Sequence, residues 1–337
     1  MSVMPFTSGL AMDLGTANTL IYEKGRGIVL NEPSMVAINS ETRKVLAIGH
    51  EAKSYLGRTP KGMEVIRPFR SGVISDFTVA QQMIKLFLDQ SGSSRRVFRP
   101  KVLVGVPTGV TQVEKRAIIE AAESSGSKSV HLVDEPLAAA VGLGLKVAEP
   151  VGRLILDVGG GTSEGVILSL GAVAISESRR VAGDEATEAI ARYIRRKYQM
   201  AIGENMAERI KMTIGSALPL EQAHVFDCRG KELKTGIPMN VEISDEDIRE
   251  ALEEINAEFI SMVKLLLSRC APEMVPDLVR DGIHLTGGGG LLKGLDKRLA
   301  KEAGLAVHLP KDPLTTMVMG LGGILENMRY YKDIFAN

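Results

Sequence analysis

The feature that most constrains this chain is a phrase written twice. Leu10-Ala-Met-Asp-Leu-Gly-Thr-Ala-Asn18 near the start and Leu154-Ile-Leu-Asp-Val-Gly-Gly-Gly-Thr162 near the middle each pass from a short apolar run to an Asp, then into Gly, Thr and small residues. A second β-prone segment follows each copy, Leu20-Ile-Tyr22 and Gly165-Val-Ile-Leu-Ser-Leu170. The pattern predicts strand, tight turn, strand, twice over. Asp13 and Asp157 lie 144 positions apart, about one domain's length of chain, so two similar α/β domains are expected, with their turns pointed at each other.

Such turns suit a nucleoside triphosphate. Glycine lets backbone approach phosphate oxygens closely, successive N–H groups form an anion nest, and threonine adds a hydroxyl donor. A carboxylate at each strand end would repel phosphate directly. It makes sense when Mg²⁺, which keeps several of its waters, stands between them. One such turn alone reads equally well as a structural hairpin; its repetition favours phosphate.

Composition narrows the class. With 337 residues, 45% hydrophobic and 24% charged, the chain has the length and apolar content for two domains with their own cores. A formal net charge of zero gives no footprint for nucleic acid as the main partner. Two cysteines, Cys228 and Cys270, and a start that does not read as a signal peptide predict a reducing cytoplasm without a disulfide framework. No apolar run reaches the roughly 18–20 residues of a membrane span. The chain is expected to touch a membrane rather than cross it.

Residues 8 to 48 read as a β-meander, with Lys24-Gly25-Arg26-Gly27 as a turn. Helical periodicity covers 77 to 90, a buried strand spans Lys101 to Pro107, and a polar helix follows from about Thr111 to Ser125. A further helix is expected over Thr187 to Tyr198, a small β-insertion over 220 to 243, and one long amphipathic helix over Asp245 to Leu267, opened by a capping box at Ser244 to Asp247. Hinges are expected near Gly142 to Pro150 and after Pro313.

Two further segments carry chemistry. Thr286-Gly-Gly-Gly-Gly290 follows an apolar strand and precedes a helix, where glycines allow close packing of a base or of phosphates. Glu135 stands just before a small-residue helix that Pro136 starts, well placed to orient a water for attack on a γ-phosphate. Gly161-Thr-Ser-Glu-Gly165 matches the G-x-S-x-G nucleophile elbow in letters only, because a strand rather than a helix is expected after it. His224 with Cys228 offers at most two ligands for zinc. In Arg95-Arg-Val-Phe-Arg99 the apolar pair Val97 and Phe98 sits among arginines, a pattern suited to an anionic membrane surface.

In order, Asp13-Leu-Gly-Thr-Ala-Asn18, Asn31-Glu-Pro-Ser34, Glu135-Pro136, Asp157-Val-Gly-Gly-Gly-Thr162, Val181-Ala-Gly-Asp-Glu185 and Leu285-Thr-Gly-Gly-Gly289 resemble the actin superfamily, and within it the bacterial actins that determine cell shape. The likeness runs from about residue 8 to residue 325. It implies a duplicated actin-like, ribonuclease-H-like α/β ATPase fold with two domains around a nucleotide cleft. Domain I would hold residues 1–145 and 314–337, with a small subdomain at about 34–68. Domain II would hold 146–313, with a small subdomain at about 184–244.

The resemblance also implies roles. Thr16, Ala17 and Asn18 would form the first phosphate loop, and Gly159, Gly160, Gly161 and Thr162 the second. Asp13 and Asp157 would hold Mg²⁺ through water. Glu135 would position the attacking water, with Thr162 helping to orient it. Ala207, Glu208, Arg209, Ile210 and Lys211 would contact adenosine, and Gly287, Gly288, Gly289 and Gly290 the base and α-phosphate. Thr187 stands where many members carry an acidic residue. The function implied is an ATPase that forms homopolymeric filaments at the inner membrane surface, bound there through Val97 and Phe98, and organises cell-wall synthesis together with other proteins. A small-molecule kinase of the same superfamily is the alternative, although no segment stands out for a small-molecule pocket or for a base toward a substrate hydroxyl.

Overall fold

The computed structural model describes residues 9–70, 72–92 and 100–331, so Met1 to Phe6, Val97, Phe98 and the arginines around them lie outside the described residues. The chain divides into two compact units. Met1–Pro150, Leu168–Ala174 and Leu314–Asn337 form the first, and Val151–Ile167 with Ile175–Pro313 form the second.

The first unit opens with the expected meander, β1 (Gly9–Leu14), β2 (Asn18–Glu23) and β3 (Gly27–Pro33). A small sheet follows, made of β4 (Val36–Asn39), β5 (Val45–Ile48) and β6 (Met63–Ile66), with α1 (Gly49–Tyr55) between its last two strands. It has its own small core of Met35, Ala37, Ala47 and Ala52. A short hairpin, β7 (Phe69–Arg70) and β8 (Val73–Ile74), leads to α2 (Phe77–Gln90). Asp76 caps this helix by accepting from the Val79 N–H at 3.1 Å, and Val79, Ala80, Met83, Ile84 and Phe87 make the fully buried face that the periodicity predicts.

β9 (Lys101–Val106), α3 (Gln112–Ser124), β10 (Ser129–Asp134) and α4 (Glu135–Gly142) complete this stretch. The main sheet has the order β10-β9-β1-β2-β3, with β1, β9 and β10 parallel. Leu10, Ala11 and Met12 in β1 and Val102, Leu103 and Val104 in β9 are all fully buried, the unbroken apolar run of a strand covered on both faces.

The second unit repeats this plan. β11 (Arg153–Val158), β12 (Ser163–Ser169) and β13 (Ala172–Arg179) match the meander, and α5 (Gly183–Tyr198), β14 (Met200–Ala201) and α6 (Glu204–Ile214) follow. The expected β-insertion is the hairpin β15 (Val225–Glu232) and β16 (Pro238–Ser244), extended by β14. After it come α7 (Asp245–Ala251), α8 (Glu253–Arg269), α9 (Val275–Asp281), β17 (Ile283–Thr286), α10 (Leu295–Ala303) and β18 (Val307–His308). The sheet order is β13-β12-β11-β17-β18, so β11 holds the central place that β1 holds in the other sheet. α11 (Thr316–Glu326) then rejoins the first unit.

Three expectations need correction. The helix expected from Asp245 to Leu267 is two helices: the capping box forms, with both Ser244–Asp247 contacts at 3.2 Å, but α7 ends at Leu252 (φ −95°, ψ 0°) and α8 restarts at Glu253. Ile248, Leu252, Ile255 and Phe259 are all buried and spaced as on one helical face, so the apolar pattern reads straight through the break. α5 begins one turn before Thr187. The Gly287 to Gly290 cluster leads into a 3₁₀ turn, Gly288–Leu291, and the helix proper starts only at Leu295.

Candidate functional site

Asp13 and Asp157 are the penultimate residues of β1 and β11, the equivalent central strands of the two units. In the first unit the chain turns through Gly15, Thr16 and Ala17 into β2. A Cβ on Gly15 would lie 2.6 Å from the Asn18 carbonyl oxygen, so the tightness of the turn requires glycine there.

Ser34, fully buried just after β3, holds this turn from behind. Its hydroxyl donates to the Gly15 carbonyl at 2.6 Å and its N–H to the Ala17 carbonyl at 2.9 Å. With its proton spent on Gly15, the Ser34 oxygen accepts from the Thr19 hydroxyl at 2.9 Å. Because a trans peptide is planar, with N–H opposed to C=O, carbonyls drawn toward Ser34 leave the Thr16 and Asn18 N–H groups directed to the other side of the turn. The sequence signal for this brace is the Asn31–Ser34 motif.

The second turn is braced by a helix instead. Gly159 and Thr162 close it with an N–H to carbonyl bond of 2.9 Å. The carbonyls of Gly159 and Gly160 accept from the Gly183 and Asp184 N–H groups at the start of α5, at 3.1 and 2.7 Å. These bonds explain why α5 begins early, and they use N–H groups that a helix start leaves without helical partners. By the same planarity, the Gly160 and Gly161 N–H groups point away from α5, as an anion nest requires. Ser163 opens β12, and its buried hydroxyl donates to the Val181 carbonyl at 2.8 Å, so it serves the fold rather than a nucleophile elbow.

Asp157 pairs with Thr286 in the parallel β11–β17 ladder, which brings the third glycine cluster beside it. A Cβ on Gly287 (φ +80°) would meet the Val158 carbonyl oxygen at 2.4 Å and the Asp157 Oδ1 at 2.5 Å, and one on Gly289 would meet Val158 Cγ1 at 2.2 Å. Burial pushes the Asp157 carboxyl up to about 6. The carboxylate keeps a half-buried, partly open side, which fits Mg²⁺, an ion that binds through one or two carboxylates and keeps its own waters. Among the described residues no group of three or more His, Cys, Asp and Glu side chains is placed to hold a metal ion.

Glu135 is the first residue of α4, directly after β10, with Pro136 behind it. β1, β9 and β10 run parallel, so the Asp13 turn and Glu135 share the carboxyl edge of one sheet, about 10 Å apart at two strand spacings. Gly105 in β9 lies under this edge, where a Cβ would make ordinary contact with Glu135 Cγ at 3.5 Å and a tight one with Leu321 at 3.3 Å. Burial raises the neighbouring Asp134 carboxyl, and Lys115 offsets part of that rise.

The segment assigned to adenosine divides by face. Ala207 and Ile210 are fully buried in the core of the second unit, so their side chains are not available to a ligand. The Arg209 guanidinium lies 5.5 Å from the Phe226 ring centroid, stacked on β15. Glu208 and Lys211 remain half-buried on the other face. The i, i+3 spacing of Ala207 and Ile210 on α6 carries this split.

A profile described as MreB/Mbl protein matches residues 7–333. The chain is 47% identical over 338 residues to the cell shape-determining protein MreB of Escherichia coli strain K12, covering 98% of this chain and 97% of the relative. It is 40% identical over 323 residues to the cell shape-determining protein Mbl of Bacillus subtilis strain 168, covering 96% and 97%. Among solved structures, MreB5 of Spiroplasma citri bound to ADP superposes with a TM-score of 0.93 at 32% identity, covering 97% of this chain and 99% of that one. A MamK double helical filament subunit superposes with a TM-score of 0.81 at 20% identity, which supports the fold alone. The fold is actin-like, and the chain belongs to the MreB/Mbl family.

Proposed function

We propose that the chain binds and hydrolyses ATP with Mg²⁺, and that this chemistry controls its head-to-tail assembly into filaments that organise cell shape. The observation that carries the reading is the duplicated turn, held from behind in each unit so that backbone N–H groups are presented on the opposite side. Structures of the Spiroplasma citri relative bound to ADP and to AMPPNP support nucleotide as the ligand.

In this reading Thr16, Ala17 and Asn18 take phosphate oxygens in one unit, and Gly159, Gly160, Gly161 and Thr162 in the other. Asp13 and Asp157 hold the waters of Mg²⁺, which when bound neutralises phosphate charge. Glu135 orients the attacking water, with Thr162 assisting, and the chain's task is positioning rather than covalent chemistry. Glu208, Lys211 and the Gly287–Gly290 turn serve the nucleoside side. Contacts to a γ-phosphate favour one arrangement of the chain, and their loss on hydrolysis releases it. The domain limits 1–145 with 314–337 and 146–313 belong to the same proposal, as does placement at the cytoplasmic face of the membrane alongside cell-wall synthesis proteins. Among the described residues no helix is long and apolar enough to cross a membrane.

The test is sedimentation and electron microscopy of purified protein with Mg-ATP, with Mg-ADP and without nucleotide. Filaments that depend on nucleotide support the proposal; a monomer that phosphorylates a small metabolite supports the kinase alternative. Glu135→Ala is expected to lower turnover by roughly 10²- to 10⁴-fold while Mg-ATP binding survives and filaments persist longer. Lost affinity with unchanged turnover of the bound fraction would remove Glu135 from this role.

A further inference from the structure

We propose that Thr187 and Lys211 are positioning residues for the second phosphate turn, acting on it through the first turn of α5. The inference rests on the reading that this turn binds phosphate. Gly159 and Gly160 each give their carbonyl to the start of α5, so the placement of Gly183 and Asp184 sets the tilt of two successive peptide planes. That tilt sets where the Gly160 and Gly161 N–H groups aim. A displacement of α5's first turn therefore redirects the nest without touching it.

Three short contacts fix that first turn. The Thr187 hydroxyl donates to the Gly183 carbonyl at 2.9 Å, and the Lys211 ammonium donates both to that carbonyl and to the Thr187 hydroxyl oxygen, each at 2.7 Å. Lys211 sits on α6, so the triangle ties the helix assigned to the nucleoside to the helix that braces the phosphate turn. Residue 183 packs closely on the turn: a Cβ there would stand 3.3 Å from the Gly159 carbonyl oxygen, a tight contact, and 3.5 Å from Gly160 Cα. Thr187 is only 5% exposed, so its hydroxyl acts on phosphate through this geometry and not by contact.

The test uses Thr187→Val, which keeps the shape and removes the hydroxyl, and Thr187→Ser, which keeps the hydroxyl. Mg-ATP and AMP are titrated calorimetrically into each variant and the parent, with thermal unfolding followed in parallel. Thr187→Val is expected to weaken Mg-ATP by about five- to tenfold, the worth of one ordinary hydrogen bond. AMP, with a single phosphate, should stay within about twofold of the parent. Thr187→Ser should restore the parent value for Mg-ATP. Equal Mg-ATP affinity in Thr187→Val and parent overturns the inference. So does parallel weakening of both nucleotides with a lowered unfolding midpoint, since that marks ordinary packing. A parent that binds no Mg-ATP removes the nucleotide reading itself, an outcome distinct from either.

Discussion

Ser34 shows how one small side chain can set a ligand-binding turn it need not touch. Replacing it with Ala leaves the Gly15 carbonyl without its 2.6 Å donor and the Thr19 hydroxyl without its acceptor, both in a buried place. The expected loss is about 1–3 kcal/mol of stability, read by urea unfolding, together with weaker Mg-ATP binding. Unchanged stability would mean another group takes over the brace. His284 supplies a pH dependence at the same scale. Burial lowers its imidazole to about 4, helped by the neighbouring His308 and Arg153, and its Nε2 is buried with no hydrogen-bond partner among the described residues. The folded chain resists the proton that the unfolded chain takes up near pH 6.5, so stability should fall as pH drops from about 6.5 toward 4, by about 2–3 kcal/mol in all. His284→Leu should flatten that fall in a pH series of unfolding midpoints. An unchanged slope would assign the acid sensitivity elsewhere.

At the scale of elements, Glu135 depends on how closely α4 and α11 cross. A Cβ on Gly320 would lie 1.8 Å from the Ala138 carbonyl oxygen, and one on Gly142 would lie 2.0 Å from that of Thr316. These are backbone atoms that cannot swing aside as a flexible side chain would. Gly320→Val should therefore force the helices apart, cost about 3 kcal/mol or more, and lower ATP turnover by moving the start of α4, as measured by unfolding and by phosphate release. Wild-type stability would refute so tight a crossing. This seat was only half legible in the sequence. Ala138, Ala139 and Ala140 announced a small-residue helix, but its partner lies nearly 180 residues onward, and no local spacing names it. The same limit applies to the other misses. Strand, Asp and glycine turn were legible twice because they are local and repeated. The early start of α5 depends on carbonyls from Gly159 and Gly160, the break at Leu252 hides inside an unbroken apolar spacing, and Ala207 and Ile210 sit in a core that only the assembled second unit defines. Contacts between distant segments decided the α5 start and the burial of Ala207 and Ile210.

For the whole molecule, the duplicated plan has a consequence for assembly. In the proposed head-to-tail assembly, repetition of one heterologous contact gives an open filament when the rotation between copies does not close a ring. An open filament also multiplies weak contacts made by every copy, which makes membrane attachment testable through Val97 and Phe98, read from the sequence as an apolar pair among Arg95, Arg96 and Arg99. Partial insertion of both side chains gives on the order of 2–4 kcal/mol per subunit, too little to hold one copy firmly. Many copies on one polymer bind through multivalency, so attachment should require assembly. Replacing both residues with Ser is expected to abolish co-sedimentation with anionic liposomes in the presence of Mg-ATP, while filament yield without liposomes stays at the parent level. Parent protein held below its assembly concentration should likewise stay in the supernatant. If the double variant still pellets with liposomes, attachment belongs to another segment, and the apolar start Met1 to Phe6 is the next to test, by Phe6→Ser in the same assay.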